Sequence, residues 1–507
     1  MDRRHFLRAG ILATGASAAV PSAAFARRRD VATPGDSPYG PLSDTPDENG
    51  LLLPAGFTSR IVAIGGDPVG ETGYNWHLFP DGAATFDDGS GGYYYVCNSE
   101  VRDTMIPDSG GVSSIHFGPT GEILDAYRIL EGSNSNCAGG PTPWGTWLSG
   151  EESSSGLGRV WECDPTGRDQ AIARVAIGLW SHEAAAVDPV DEKVYLTEDH
   201  AEGVLYRFTP EAYPDLGAGV LEACIVDAGG NVTWGIVSDP SASSIPTRQQ
   251  VVGATIFTGA EGIWYFDGSI YFTTKYDHSV HSIDLRTNAY SLIWKGDPDG
   301  LGIEGAVLSH VDNITVDAGS GDLIVAEDGG NMELVIITPD GAVAPFVRVV
   351  GAGHEDSEMT GPVFSPNRDR LYFSSQRGPS TKSIEEILPG IVGISGYHAG
   401  VTFEITGPFR GVVVPDVVTT EAPTTIPSPV TTLTQAAPDT AEDSSDDNGG
   451  GSGVAIGVGV VAAAAVVGGA VAFRQRRMRD KAAERPVGRG SDAGSVLVAT
   501  GSHRLVA

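Results

Sequence analysis

The stretch EAAAVDPVDEKVYLTED, residues 183–199, reads as a short apolar strand, a turn opened by Asp188, and a second strand that ends in Glu198 and Asp199. DNITVDAGSGDLIVAED, residues 312–328, repeats it: Asp188 stands ten positions before Glu198, and Asp317 ten before Glu327. GPVFSPNRDRLYFSSQ, residues 361–376, keeps the same beat, with Ser365 ten before Ser375. Looser copies begin at Asn75, Cys137 and Glu261 and lead into YYYVCNSE, GTWLSGEE and GSIYFTTK. A repeat of this kind marks an architecture in which each unit is one supersecondary element that cannot bury its apolar face alone. Each hairpin is followed by a further strand pair, such as the one opening with GVLYRF at 203. Six four-stranded units predict an all-β fold, a six-bladed β-propeller over residues 51–410. GFTSRIVAIG (56–65) and VTFEIT (401–406) are expected to pair and close the ring. A β-sandwich is the alternative, and it leaves the recurring hairpin unexplained.

Outside the repeats the chain changes character. Arg3 and Arg4 precede the weakly apolar run from Gly10 to Val20, and Ala24-Phe25-Ala26 offers a cleavage site, so residues 1–26 read as a twin-arginine signal peptide. Such export carries proteins already folded. Residues 27–50 form an N-terminal extension, and residues 418–452, rich in Thr, Pro and Ser and then acidic, read as a disordered stalk. Residues 454–473 are uncharged and apolar, long enough to cross about 30 Å of hydrocarbon as a helix. The basic tail 474–507 begins with Arg474, Arg476 and Arg477, which places it in the cytoplasm and the large domain outside, in a single-pass cell-membrane topology. The net charge of −33 repels nucleic acid and phosphate alike, so an anionic ligand needs a local positive centre. Cys97, Cys137, Cys163 and Cys224 are too few for a disulfide scaffold, and whether Cys163 pairs with Cys224 stays open at this level.

Antiparallel strands reverse direction, so in each hairpin the start of the first strand and the end of the second lie at one edge of the blade. In a propeller the innermost strand lines the channel, and these positions gather at one mouth. The starts offer Asn75 and His77, Cys137, His182 and Glu183, Glu261, Asp312 and Asn313, and Glu358. The ends offer Asn98 and Glu100, Glu151 and Glu152, Glu198 and Asp199, Lys275, Glu327 and Asp328, then Gln376 and Arg377. Carboxylates crowded this closely repel one another and resist ionisation, and multivalent cations relieve both problems. The predicted metal ligands are Glu100, Cys137, Glu152, Glu183, Asp199, Glu261, Asp312, Asn313, Glu327 and Glu358. Oxygen donors suit calcium, and the thiol of Cys137 calls for a transition ion such as iron. Zinc spacing is missing from the sequence: there is no HExxH and no paired Cys or His.

NSNCAGGPTPWGTWLSGEE, residues 134–152, resembles the signature of the PhoX-type alkaline phosphatases. GFTSRIVAIG, SHEAAAVDP (181–189), YLTED (195–199), EGIWYFDGSIYFTT (261–274), DNITVD (312–317) and GPVFSP (361–366) agree with it. The resemblance spans roughly residues 50 to 410. It implies a cluster of ferric iron (Fe3+) and calcium (Ca2+), joined by a bridging oxo group, twin-arginine export, and phosphomonoesterase activity outside the cytoplasmic membrane. It matches Cys137 to the family's iron-binding Cys and Glu152 to the second Glu of its EE pair. The sequence departs from the family at CNSE (97–100), where Asn-His-Glu is common, at SSQRG (374–378), which matches no family pattern, and in the C-terminal anchor.

Small-molecule phosphate esters are the implied substrates, with a monomeric catalytic domain. Arg377 and Lys275, the two cations of the mouth, are candidates to stabilise charge on the phosphoryl group, and His182 or His77 to donate a proton. Two other readings remain at this level: a calcium-stabilised surface propeller that only binds, and a propeller hydrolase of another class such as a lactonase. The Cys137 block counts against the lactonase.

Overall fold

Strands rich in Val, Ile, Leu and Tyr, broken by turns built on Gly and Asp, form six sheets, antiparallel except for the short edge strand Thr33–Pro34. The computed structural model describes residues 31–296, 307–388 and 397–411. The sheets are headed by the strands Pro80–Asp87, Asn136–Pro141, His182–Asp188, Ala260–Phe266, Val311–Val316 and Met359–Phe364, which define blades one to six in chain order. Each of these strands packs against the next, and the sixth against the first, so they line a closed central channel. The protein is an all-β six-bladed propeller, as the repeats predict.

Closure follows the expected pairing. Blade six takes its first three strands, Met359–Phe364, Arg370–Ser375 and Val401–Thr406, from the end of the domain. Its fourth is Thr58–Ile64, from the beginning, with Ile64 opposite Val401 and Thr58 opposite Thr406. Two strands are added to the four-per-blade plan at the edge of blade five: Thr33–Pro34 and Leu51–Leu52 both pair with Ala342–Val349. Blade three carries a fifth strand, Val232–Ile236. The extension predicted for residues 27–50 therefore begins, within the described residues, as part of blade five.

Blades pack face to face, so central strands are buried on both sides. Leu323–Glu327 is buried along its whole length, which explains its unbroken apolar run. The seam between blades five and six is filled by Phe57, Phe346, Phe373, Phe403 and Phe409, with Phe57 and Phe346 edge to face at 5.1 Å. Each such buried side chain contributes on the order of 1.5–3 kcal/mol.

Cys163 lies in blade two and Cys224 in blade three, both buried and both free, so this structure does not pair them. Among the described residues no helix is long and apolar enough to cross a membrane. The signal segment 1–26, the stalk 418–452, the apolar segment 454–473 and the tail 474–507 lie outside the described residues.

Candidate metal centre

In every blade the inner hairpin slips register at the same place. In blade one Pro80 pairs with Ser99 and Ala83 with Cys97, so Asp81 and Gly82 together face Asn98. The equivalent slips fall at Cys137 and Ala138, Glu183 and Ala184, Glu261 and Gly262, Asp312 and Asn313, and Gly361 and Pro362. A β-bulge of this kind bends the strand and re-aims a side chain. Here it supplies five of the six blades with an acid or a thiol at one level of the channel.

The local sequences follow from that geometry. In blades one to four the second bulge residue is Gly or Ala, and in two of them the neighbouring inner strand leaves no room for more: a Cβ on Gly82 would meet Ala138 Cα at 2.5 Å, and one on Gly262 would meet Asn313 Cα at 2.8 Å. In the NCAGG block a Cβ on Gly139 would stand 2.0 Å from Leu148 O, and one on Gly140 1.8 Å from Ala185 O. Asn98 of blade one donates to Cys137 O (3.1 Å) and Ala138 O (2.8 Å) and accepts from Trp147 Nε1 (2.8 Å). These bonds pin the backbone that carries the thiol.

Four groups of donor atoms converge at the mouth, each within 4.8 Å of one another: Cys137 with Glu152 and Glu183; Asp81 with Glu100 and Glu358; Glu183 with Glu261 and Asp312; and Asp312 with Asp328 and Glu358. Glu183, Asp312 and Glu358 belong to two groups each, so the four merge into one continuous acidic basin. Of the predicted ligands, Glu100, Cys137, Glu152, Glu183, Glu261, Asp312 and Glu358 are brought together here.

The remaining predicted residues take other places. Asp199 lies beside the basin and pairs with Lys275 Nζ at 3.0 Å, while Lys275 also pairs with Glu261. Asn313 turns its amide to structural use: Nδ2 donates to Asp312 Oδ1 (2.8 Å) and Oδ1 accepts from Gly361 N (2.7 Å). Glu327 points away from the donor groups. It is fully buried and accepts from the backbone N–H groups of Ser309 (2.9 Å) and Glu333 (3.2 Å), which fixes the loop ends of blade five. His182 is likewise apart from the four groups. Its ring lies 3.8 Å from Trp180, its Nε2 lies 3.1 Å from Gly178 O, and burial lowers its pKa to about 3. Arg377 does reach the basin, at 2.9 Å from Glu358 Oε1 and 3.4 Å from Glu100 Oε2.

Three residues of the mouth escaped the predicted ligand and catalytic sets. Asp81 did so because the first hairpin begins at Pro80 rather than at Asn75. Asn75 instead makes an isolated bridge with Pro68, and His77 Nδ1 is bonded to Ser113 Oγ at 2.7 Å. The signal for Asp81 lay in the pair Asp81-Gly82, which matches Glu261-Gly262. Asp328 takes the ligand position at its strand end instead of Glu327. Arg102 sits on the loop after blade one's second strand, outside the repeating pattern.

The electrostatics of the basin are those of buried carboxylates crowded against one another. Burial and then Glu152, Asp312 and Asp81 push Glu183 well above the usual carboxylate range. Burial and then Glu100 do the same for Asp81; burial and Asp199 raise Glu152 to about 8, and burial raises Glu358 to about 7. Burial, followed by Asp81 and Glu183, lifts the Cys137 thiol. Burial opposes the charge of Lys275, but Glu261 and Asp199 outweigh it and keep the amine protonated. Glu183 has no exposed surface, and neither of its oxygens receives an N–H or O–H hydrogen bond; Asp81 Oδ1 is likewise buried without a partner. A carboxylate left in this state is costly unless a cation completes it. The donor set therefore fits metal ions, hard at its all-oxygen groups and softer at the group with the thiol.

Such a fold and basin define a β-propeller whose channel mouth gathers a donor set that fits cations. The chain belongs to the alkaline phosphatase PhoX family, whose model matches residues 117–300 and 302–378, just over half of the sequence. Membership implies a hydrolase acting on phosphate esters. The solved structure of Pseudomonas fluorescens PhoX in complex with vanadate, a transition state analogue, is similar with a TM-score of 0.56 and 18% identity, over 72% of this chain and 97% of that one. At this identity the likeness is one of fold. A protein of unknown function from Bacteroides thetaiotaomicron (TM-score 0.41, 12% identity, 69% of this chain and 76% of that one) and a Xanthomonas campestris gluconolactonase (0.36, 13%, 75% and 99%) are more distant and carry no argument. Comparison with curated proteins gives no match.

Proposed function

We propose that this chain hydrolyses phosphate monoesters outside the cytoplasmic membrane, using ferric iron and calcium held at the propeller mouth. The observation that carries the reading is Glu183, wholly buried, free of N–H and O–H donors, and grouped with the Cys137 thiol on one side and Glu261 and Asp312 on the other. Cys137, Glu152 and Glu183 suit iron, and the all-carboxylate groups suit calcium. When bound, these ions supply Lewis acidity and a positive field to a chain of net charge −33.

The chain's own residues do the rest. Arg377, oriented by Glu358 and Glu100, presents a guanidinium to the phosphoryl oxygens. Lys275, held between Asp199 and Glu261, adds a second fixed charge where negative charge accumulates. Asn313 holds Asp312 and the backbone of Gly361 in place. Next to the donor groups the axis narrows to a cavity of about 20 Å³, lined by residues that include Gly82, Ala138, Ala184, Gly262 and Gly361. That is room for about one water, so substrate meets the basin from the mouth. His182 has no part in this reading, because Trp180 and Gly178 occupy its ring.

Location rests on the sequence: the twin-arginine leader, the apolar segment 454–473 and the basic residues after it support a single-pass protein with its propeller outside. The activity is tested by turnover of p-nitrophenyl phosphate by the purified full-length protein. Metal-loaded protein that releases no nitrophenol contradicts the proposal.

A further inference from the structure

Arg102 has no part in the reaction as described so far, yet it stands at the basin. Its Nε donates to Glu100 Oε1 at 2.8 Å, and its side chain remains 39% exposed. Among the described residues neither terminal guanidinium nitrogen has a hydrogen-bond or ion-pair partner. Arg377 differs: its side chain is 17% exposed, and its Nη2 is shared between Glu358 and Glu100. The two guanidinium groups thus hang on opposite oxygens of one carboxylate, Arg102 on Oε1 and Arg377 on Oε2.

The backbone fixes where Arg102 stands. Its carbonyl accepts from the N–H groups of Met105 (2.8 Å) and Ile106 (3.0 Å), which makes the loop a tight turn. Glu100 and, across the mouth, Glu152 and Glu358 raise its pKa against the effect of burial, so its charge lies among ligands from blades one, two and six. An arginine that served only to neutralise Glu100 would engage the carboxylate with two parallel N–H bonds, the stronger arrangement. Arg102 uses one bond and leaves the forked edge free, next to the place where the phosphoryl group is expected.

We propose that Arg102 is a second phosphoryl-binding guanidinium, which contacts the non-bridging oxygens of a doubly charged phosphate monoester and so favours it over a singly charged diester. The inference rests on the phosphatase reading above. A monoester dianion brings three non-bridging oxygens and two charges; a diester brings two oxygens and one charge. Arg377 has part of its donor capacity committed to Glu358 and Glu100, so the extra charge of the monoester finds its partner in the free edge of Arg102.

The test measures binding and turnover separately on the full-length, metal-loaded protein. Inorganic phosphate is titrated by calorimetry, and p-nitrophenyl phosphate is compared with bis(p-nitrophenyl) phosphate for wild type, Arg102→Gln and Arg102→Lys. Arg102→Gln is expected to weaken phosphate binding about 10- to 100-fold and to lower monoester kcat/KM by a similar factor, with less than about a 3-fold change for the diester. Arg102→Lys should recover part of the loss, since it restores charge without the fork. Unchanged phosphate affinity in Arg102→Gln, or equal losses on both esters, overturns the assignment. A wild-type protein that binds phosphate and cleaves neither ester sinks the phosphatase reading, and the phosphate titration alone then decides Arg102. A wild-type protein that binds no phosphate overturns both.

Discussion

Gln376 donates through Nε2 to Glu100 Oε2 at 2.9 Å, and so ties the last blade to the first across the seam between them. The same nitrogen reaches Asp81 Oδ2, so one neutral amide bridges two carboxylates of the basin. One side chain of blade six therefore serves both the seam with blade one and the acidic mouth.

Gln376→Leu leaves Asp81 and Glu100 without that bridge, both of them buried. The expected loss is about 2–4 kcal/mol in metal-free protein, as for hydrogen bonds to charged groups. Bound cations take over the compensation, so the loss should be smaller in loaded protein. Urea unfolding with and without chelator measures both, and equal losses in the two states would count against the bridge.

Glu183 yields a change of sign. Metal-free, buried Glu183 faces Glu152, Asp312 and Asp81 with only the weak thiol donor of Cys137 to offset them, so Glu183→Gln should raise stability by about 1–3 kcal/mol in chelator. Loaded, the same change removes a ligand from two donor groups, and the melting temperature should fall. A variant less stable than wild type in chelator would show that the protein alone compensates Glu183, and would contradict the account.

Gly361 fills the bulge position that carries an acid or a thiol in the other five blades, and its φ is +57°. A Cβ there would come within 2.4 Å of Asp81 O. Gly361→Ala should cost roughly 2–4 kcal/mol from backbone strain and overpacking together, and should displace Asp81. Unfolding midpoints and bound metal are the readouts; wild-type values in both would show that blades one and six can part without cost.

The propeller was largely legible because its signal is periodic. Strand–turn–strand units with an acidic end recur from Glu183, Asp312 and their looser copies, and burial on both faces writes each as an apolar run. The basin was legible to the extent that it follows the same period. What escaped depends on register. Adjacent residues along a strand face opposite sides, so Asp328 joins a donor group while Glu327 bonds the backbone of Ser309 and Glu333, and sequence spacing does not resolve adjacent acids on a strand end. Asp81 was hidden by a first hairpin that begins later than its apolar lead-in suggests. Arg102 lies on a loop, where no period applies. His182 drew notice by sitting next to Glu183, but successive residues of a strand point to opposite sides.

His281, outside the four donor groups, provides a separate pH dependence. Its Nε2 is bonded to Thr274 Oγ1 at 2.8 Å and its Nδ1 to Tyr290 OH at 2.9 Å, and its ring stacks on Phe272 with Phe257 edge-on. Asp277 and Lys295, themselves paired, are the charged groups that face it. Burial lowers its pKa from 6.5 to about 4, against the pull of Asp277. The unfolded chain thus takes up a proton that the folded one refuses. Its contribution is present in full above about pH 6.5 and falls as the pH drops toward 4, by up to about 3 kcal/mol. His281→Gln should flatten that part of the profile in urea titrations from pH 7.5 to 4.5. Parallel profiles for variant and wild type would refute the assignment.

The account as a whole turns on whether the mouth holds ions. Elemental analysis of the full-length protein, purified without added metal and compared with Cys137→Ala, tests this most directly. The expected result is iron together with calcium in the wild type, and in the variant a folded protein that keeps calcium and has lost iron. A fully folded wild-type protein that carries neither metal would contradict it.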